Sequence, residues 1–141
     1  MSELSEEDLG ELAKAVTSIL SNWGISASDQ LVLLAMPEEV RSRHMQKFRQ
    51  GEPLPNLKAV LDRVDHIIGI AEALRTTFPQ NAHMAKFWLQ QPHRRFDNET
   101  PMKCIMEDGL EGLLRVRCHL DCAYDWQQDD ARAAARNKNN S

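Results

Sequence analysis

The stretch LKAVLDRVDHIIGIAEALRTTF, residues 57–78, decides the fold. Leu57, Val60, Leu61, Val64, Ile67, Ile68, Ala71, Leu74 and Phe78 recur at steps of three and four, the spacing that puts apolar side chains on one face of an α-helix. Asn56 stands where an N-cap would serve it. A stripe this long needs more than one partner helix, so the segment predicts a connecting helix packed against helices before and after it. Gly69 in its interior costs helix stability of about 1 kcal/mol relative to alanine, which predicts close helix approach there as compensation. His66 lies beside the stripe with no ligand partner near it in sequence, so a hydrogen-bonded or exposed histidine is expected. Lys58, Asp62, Arg63, Asp65, Glu72 and Arg75 exclude this helix from a bilayer.

Towards the N-terminus the pattern stays helical. Ser5 caps a first helix whose opening turn holds Glu6, Glu7 and Asp8, where the helix dipole favours acids. Leu9, Leu12, Ala13, Val16, Ile19, Leu20 and Trp23 form its apolar stripe, and Gly24 ends it. Ser26 or Ser28 can cap a short second helix containing Leu31, Val32 and Leu34. Met36-Pro37 breaks it, because proline restricts the residue before it. A third helix is expected from Pro37 through Val40, His44, Met45 and Phe48 to Gly51. Two short helices with a tight turn and a basic second member fit a helix-turn-helix pattern. Ser28, Arg41, Arg43, His44, Lys47 and Arg49 are the candidate DNA contacts. The plain alternative is a solvated basic face on a core helix.

On the other side, Pro79 precedes a fifth helix from about Ala82 to Gln90, with Met84, Phe87, Trp88 and Ala85 as expected buried positions. Pro92 stops it. The charged loop His93-Arg94-Arg95-Phe96-Asp97-Asn98-Glu99 carries one phenylalanine, expected to fold back on the core. Thr100 caps the next helix with Pro101 at its first position, and Gly109 separates it from a last helix through Leu110, Leu113, Leu114, Val116 and Leu120. Residues 127–141 are polar and Asn-rich and are expected to be disordered.

Composition agrees with an all-α class. The chain has 141 residues, 42% of them hydrophobic, enough for one core or two small helical lobes. Six glycines, six prolines and few aromatics argue against a sandwich or barrel. Cys104, Cys118 and Cys122 are odd in number and follow no signal-like segment, which argues against a disulfide framework and places the expected compartment in the cytoplasm. Cys118-His119 and Cys122 could join Cys104 around zinc, but cysteines at i and i+4 on an apolar helix more often behave as small hydrophobes. With no phosphate loop, His-Glu-x-x-His or Gly-x-Ser-x-Gly motif, neither a cofactor nor an enzymatic role is expected. Net charge is −4, with six acids against Lys14 in residues 1–35 and a local +2 in residues 36–51. DNA would therefore be met by a local basic face, weakly per protomer, and a homodimer is expected.

Phe87-Trp88-Leu89, then Phe96-Asp97-Asn98-Glu99-Thr100-Pro101, then Leu113-Leu114-Arg115-Val116-Arg117 resemble the toxin-binding domain of the Xre/MbcA/ParS antitoxins. In that family a Trp-Leu pair ends one helix, a Thr/Ser-Pro dipeptide opens the next, and a glycine-punctuated helix with Val-Arg closes the domain. Residues 16–78 are similar to its N-terminal module, with Trp23-Gly24-Ile25-Ser26 and Arg63 through Leu74-Arg75. One departure is Leu33-Leu34-Ala35-Met36-Pro37, where a Leu-Leu-Gly-type turn would be expected. The resemblance implies a helix-turn-helix-like DNA-binding lobe over residues 1–56, a connecting helix over 57–80 and a compact helical toxin-binding lobe over 81–126. It also implies a RES-domain toxin as partner, an NAD-consuming enzyme whose active site the antitoxin occludes, and operator DNA as a second partner. Arg94, Arg95, Asn98, Arg115 and Arg117 would contact the toxin, while Trp88 and Leu113 hold the platform. The alternatives are a stand-alone transcription regulator without a toxin, and a structural helical adaptor.

Overall fold

Three helices of the N-terminal half end in the same way, and the shared ending bends the chain back on itself each time. The computed structural model describes residues 4–79 and 83–121. In it α1 (Glu6–Asn22) begins with a complete capping box: Ser5 Oγ accepts from the Asp8 N–H, and the Asp8 carboxylate accepts from the Ser5 N–H. Past its end, the Gly24 N–H donates to the Ser21 carbonyl and the Ile25 N–H to that of Leu20, the paired bonds of a Schellman motif, with Gly24 at φ +83°. The same pair closes α2 (Ala27–Leu33), from Ala35 to Val32 and from Met36 to Leu31. It recurs after α3 (Met45–Arg49), from Gly51 to Phe48 and from Glu52 to Lys47. Ser26, not Ser28, caps α2.

The third helix is much shorter than its sequence suggests. After Pro37 the Val40 N–H closes a turn on the Pro37 carbonyl, and Ser42–His44 is a 3₁₀ turn. The His44 ring draws the boundary, because its Nδ1 accepts the Arg41 N–H at 2.8 Å. Only five residues follow as α-helix, and residues 34–44 join α2 to α3 in place of a tight turn. α3 nevertheless packs closely on α1. A Cβ on Gly10 would stand 2.6 Å from the Gly51 carbonyl oxygen, so residue 10 must be glycine or the helices must separate.

The connecting helix is α4 (Lys58–Thr77), and its N-cap is Leu57 without a side-chain cap bond, not Asn56. Val60, Val64, Ile67, Ile70 and Leu74 are buried, with Leu61, Ile68, Ala71 and Phe78 packed against them, while Leu57 is exposed. Ile70 lies outside the stripe read from the sequence because this helix is covered on more than one side. α5 is His83–Leu89, α6 is Pro101–Asp108 and α7 spans residues 110–121. Thr100 caps α6 by accepting from the Lys103 N–H, with Pro101 at the first position. On α5 the expected face is turned: Leu89 is fully buried, Met84 and Trp88 are half-buried, and Phe87 is exposed.

One continuous core runs from Leu9 to Leu120. α2 packs on α6, and Arg63 of α4 donates to the Leu33 carbonyl at 3.0 Å, which ties the end of α2 to the connecting helix. Among the described residues the only extended pairing is an antiparallel bridge between His93 and Glu99, and no helix is long and apolar enough to cross a membrane. Residues 127–141, expected to be disordered, lie outside the described residues.

Candidate functional site

The charged loop between α5 and α6 is a closed structure. The His93 N–H donates to the Glu99 carbonyl at 3.1 Å and the Asn98 N–H to the His93 carbonyl at 3.0 Å, around a 3₁₀ turn at Arg94–Phe96. Reversal at its tip needs two consecutive left-handed residues, Asp97 at φ 56° and Asn98 at φ 64°. Asp and Asn are the side chains that tolerate that conformation best after glycine. The signal was present in the sequence as Asp97-Asn98. Phe96 folds inward and is 2% exposed.

Above Phe96 lies an aromatic cluster that sequence spacing does not reveal, because its members come from α5, the loop and α7. His119 stacks on Trp88 with ring centroids 6.0 Å apart and meets the edge of Phe96 at 5.1 Å, and His93 sits 4.8 Å from Trp88. The His93 Nε2 is 3.2 Å from the Trp88 carbonyl. Burial, then the nearby Arg95 guanidinium, then His93 hold the His119 imidazole below its ordinary pKa. Arg115 locks the loop from the outside. Its guanidinium lies 5.3 Å from the Phe96 ring centroid, donates to the Arg95 carbonyl at 3.0 Å and stands 3.7 Å from the Asp97 carboxylate.

The five residues expected to contact a partner thus fall into different environments. Arg94 is exposed, and among the described residues no ion pair or hydrogen bond engages its side chain. Arg95 and Asn98 are exposed on the same loop. Arg115 is half-committed to holding that loop. Arg117 points the other way, to α4, where its Nη1 lies 3.2 Å from the Asp65 carboxylate and 3.0 Å from His66 Nδ1. His66 is therefore hydrogen-bonded, as expected. Phe87 and Leu114, exposed at 55% and 43%, add apolar surface on α5 and α7.

In the N-terminal half Arg41, Arg43, Lys47 and Arg49 are exposed around the 3₁₀ turn and α3, Ser28 is exposed near the start of α2, and His44 is half-buried with its ring committed to the cap. Arg49 Nη2 donates to Ser21 Oγ on α1. Among the described residues no three His, Cys, Asp or Glu side chains converge on a metal-sized position. Cys104 is buried, which raises its thiol pKa, Cys118 is exposed, and Cys122 lies outside the described residues.

Residues 73–122, which hold this loop and both its flanking helices, match the antitoxin Xre/MbcA/ParS C-terminal toxin-binding domain. The match spans 50 of the chain's 141 residues. It is also similar to the uncharacterized protein y4oB of Sinorhizobium fredii, 31% identical over 108 residues that cover 77% of this chain and 80% of the relative. No solved structure matches it. A toxin-binding domain implies a toxin as partner, and the match encloses the Arg94 to Asn98 loop, Arg115 and Arg117.

Proposed function

We propose that this chain is a cytoplasmic antitoxin that neutralises a RES-domain, NAD-consuming toxin by binding it stoichiometrically and occluding its active site, without catalysis of its own. The observation that carries the reading is the match of residues 73–122 to the toxin-binding domain. The geometry supports a preformed binding surface there: the 93–99 loop is closed by its own backbone bonds and pinned by Arg115, so little ordering entropy is lost on docking. Arg94, Arg95 and Asn98 are the contacts, with Arg115 presenting the loop. Phe87 and Leu114 supply the apolar anchors such interfaces use. Arg117, engaged with Asp65 and His66, belongs to the support. Co-expression with the neighbouring RES-type gene product tests this. Growth rescue and co-purification are expected, and a toxin that stays active and unbound beside the folded chain removes the proposal.

The exposed basic segment favours a second activity. Among the described residues Arg41, Arg43 and Lys47 carry no ion pair, and they stand in a stretch of local positive charge, +2 over residues 36–51. The N-terminal lobe, as a homodimer, would use them to hold operator DNA and repress the operon, although residues 34–44 stand where a helix-turn-helix has its tight turn. Retardation of promoter DNA that weakens steeply with salt is expected, as phosphate contacts require. A chain that shifts promoter DNA but has no toxin gene beside its own is the stand-alone regulator instead.

A further inference from the structure

The end of α1, the start of α2 and the 42–49 segment enclose a cleft of about 470 Å³ that toxin binding does not use and that shares Arg43 with the basic face proposed for DNA. Arg43, Arg49, Ser21, Ser42 and Gln30 line it, and among the described residues no carboxylate does. In a chain of net charge −4, a concave site with two guanidinium groups and no acid concentrates positive potential where small anions can collect. Arg49 is held in place by its bond to Ser21 Oγ, while Arg43 is exposed and has no partner among the described residues. One cation is therefore preset and the other can close on a ligand.

The interior of the cleft adds a second requirement. Gln30 is 4% exposed, and its amide nitrogen is spent on the Ile25 carbonyl at 2.8 Å and on Ser21 Oγ at 3.4 Å. These bonds fix the amide's orientation and leave Oε1 as its remaining acceptor. Buried Ile25 and Met45 form apolar wall beside it. A ligand that satisfies this lining has an anionic end for the arginines, an apolar or flat body, and a hydroxyl or amino donor for Gln30. The volume lies within the range of small-molecule pockets, roughly 300–1,000 Å³.

We propose that this cleft binds a phosphate-bearing small molecule of about mononucleotide size, with its phosphate on Arg43 and Arg49 and a donor group on Gln30. Arginine suits the first task because its planar fork pairs bidentately with phosphate oxygens. The inference stands apart from toxin binding, which uses the opposite end of the chain. It is tested by titrating AMP into the full chain by calorimetry, with adenosine as the phosphate-free control and a short DNA duplex as a separate arm. AMP is expected to saturate one site per chain, adenosine to bind much more weakly, and Arg43→Ala to weaken AMP at least about tenfold, the loss of one charge-assisted pair. Arg43→Lys should recover part of that loss. Lys47→Ala, outside the cleft lining, should leave AMP binding unchanged while weakening any duplex binding. Arg49→Ala is read only where its circular dichroism matches the parent, so Arg43→Ala, at an exposed position with no partner among the described residues, carries the test. No AMP binding, or AMP binding indifferent to Arg43→Ala, overturns the proposal. Duplex binding that needs Arg43 in a chain that does not bind AMP also overturns it, and assigns the cleft to the DNA backbone.

Discussion

Gly112 of α7 rides directly on the carbonyl of Cys104 in α6: a Cβ there would stand 2.8 Å from the Cys104 carbonyl carbon and nearer still to its oxygen. Backbone cannot retreat as a side chain can, so Gly112→Ala must push the two helices apart. A loss of about 1–3 kcal/mol is expected, the usual cost of overpacking. Gly69 provides the control. Its Cβ would meet Arg117 at 2.5 Å, but at the end of a flexible side chain. Gly69→Ala displaces Arg117 from Asp65 and His66, a half-exposed set worth about 0–1 kcal/mol, and gains about 1 kcal/mol of helix propensity. Thermal melts should show a clear drop for Gly112→Ala and little change for Gly69→Ala. Equal drops would mean that the helix approach at Gly112 is looser than its geometry.

Ala35 occupies the left-handed position that closes α2, at φ 53°, with both Schellman bonds made. Glycine holds the matching places after α1 and α3. Left-handed backbone costs an L-residue roughly 1–2 kcal/mol, and glycine's greater unfolded entropy returns about 0.4–1 kcal/mol of any gain. Ala35→Gly should therefore stabilise the chain by about 0.5–1 kcal/mol, read as a higher denaturation midpoint with an unchanged slope. A lower midpoint would show that the alanine methyl is worth more in packing than its conformation costs.

These two positions also show what the sequence could reveal. The missing glycine at residue 35 was visible as a departure from the expected Leu-Leu-Gly turn, and the capping signals at Ser5, Thr100 and Pro101 were legible because a cap involves residues three apart. Gly69 announced a close approach, though not its partner, which lies 48 positions away in Arg117. The third helix was misjudged because its boundary is set by the His44 ring on the Arg41 N–H, a bond that hydrophobic spacing cannot express. Phe87 was placed inside since a short helix leaves its apolar face undetermined until Leu89 and Trp88 find their neighbours. The site was least legible: Arg115 and Arg117 are two residues apart on one helix, yet one serves the loop and the other α4.

His119 makes stability depend on pH. Its folded-state pKa is depressed, chiefly by burial, so the unfolded chain takes up a proton first as pH falls. The stabilisation is complete above the ordinary imidazole value, about 6.5, and is lost as pH drops from there through the lower folded value. Melting temperature should fall between neutral and mildly acidic pH, and His119→Gln should flatten that slope while lowering the neutral value through loss of the contacts with Trp88 and Phe96. An unchanged slope in the variant would place the titrating group elsewhere.

On the proposed toxin-binding surface three arginines would separate contact from support. Arg94 is exposed and unpaired among the described residues, so Arg94→Ala should leave the melting temperature unchanged and weaken toxin binding by about 1–3 kcal/mol if it is an anchor. Arg117 contributes to the α4–α7 packing, so Arg117→Ala should cost about 0–1 kcal/mol of stability and leave affinity alone. Arg115 combines both roles, since its guanidinium spans Phe96, the Arg95 carbonyl and Asp97. Arg115→Ala should lower both stability and affinity, and Arg115→Lys should not restore affinity, because an ammonium cannot cover the ring and bridge two oxygens in the same plane. Calorimetric titration of the purified toxin against the three variants, paired with melts, reads both quantities. Affinity that follows Arg117 and ignores Arg94 would move the interface from the 93–99 loop to the α4–α7 face.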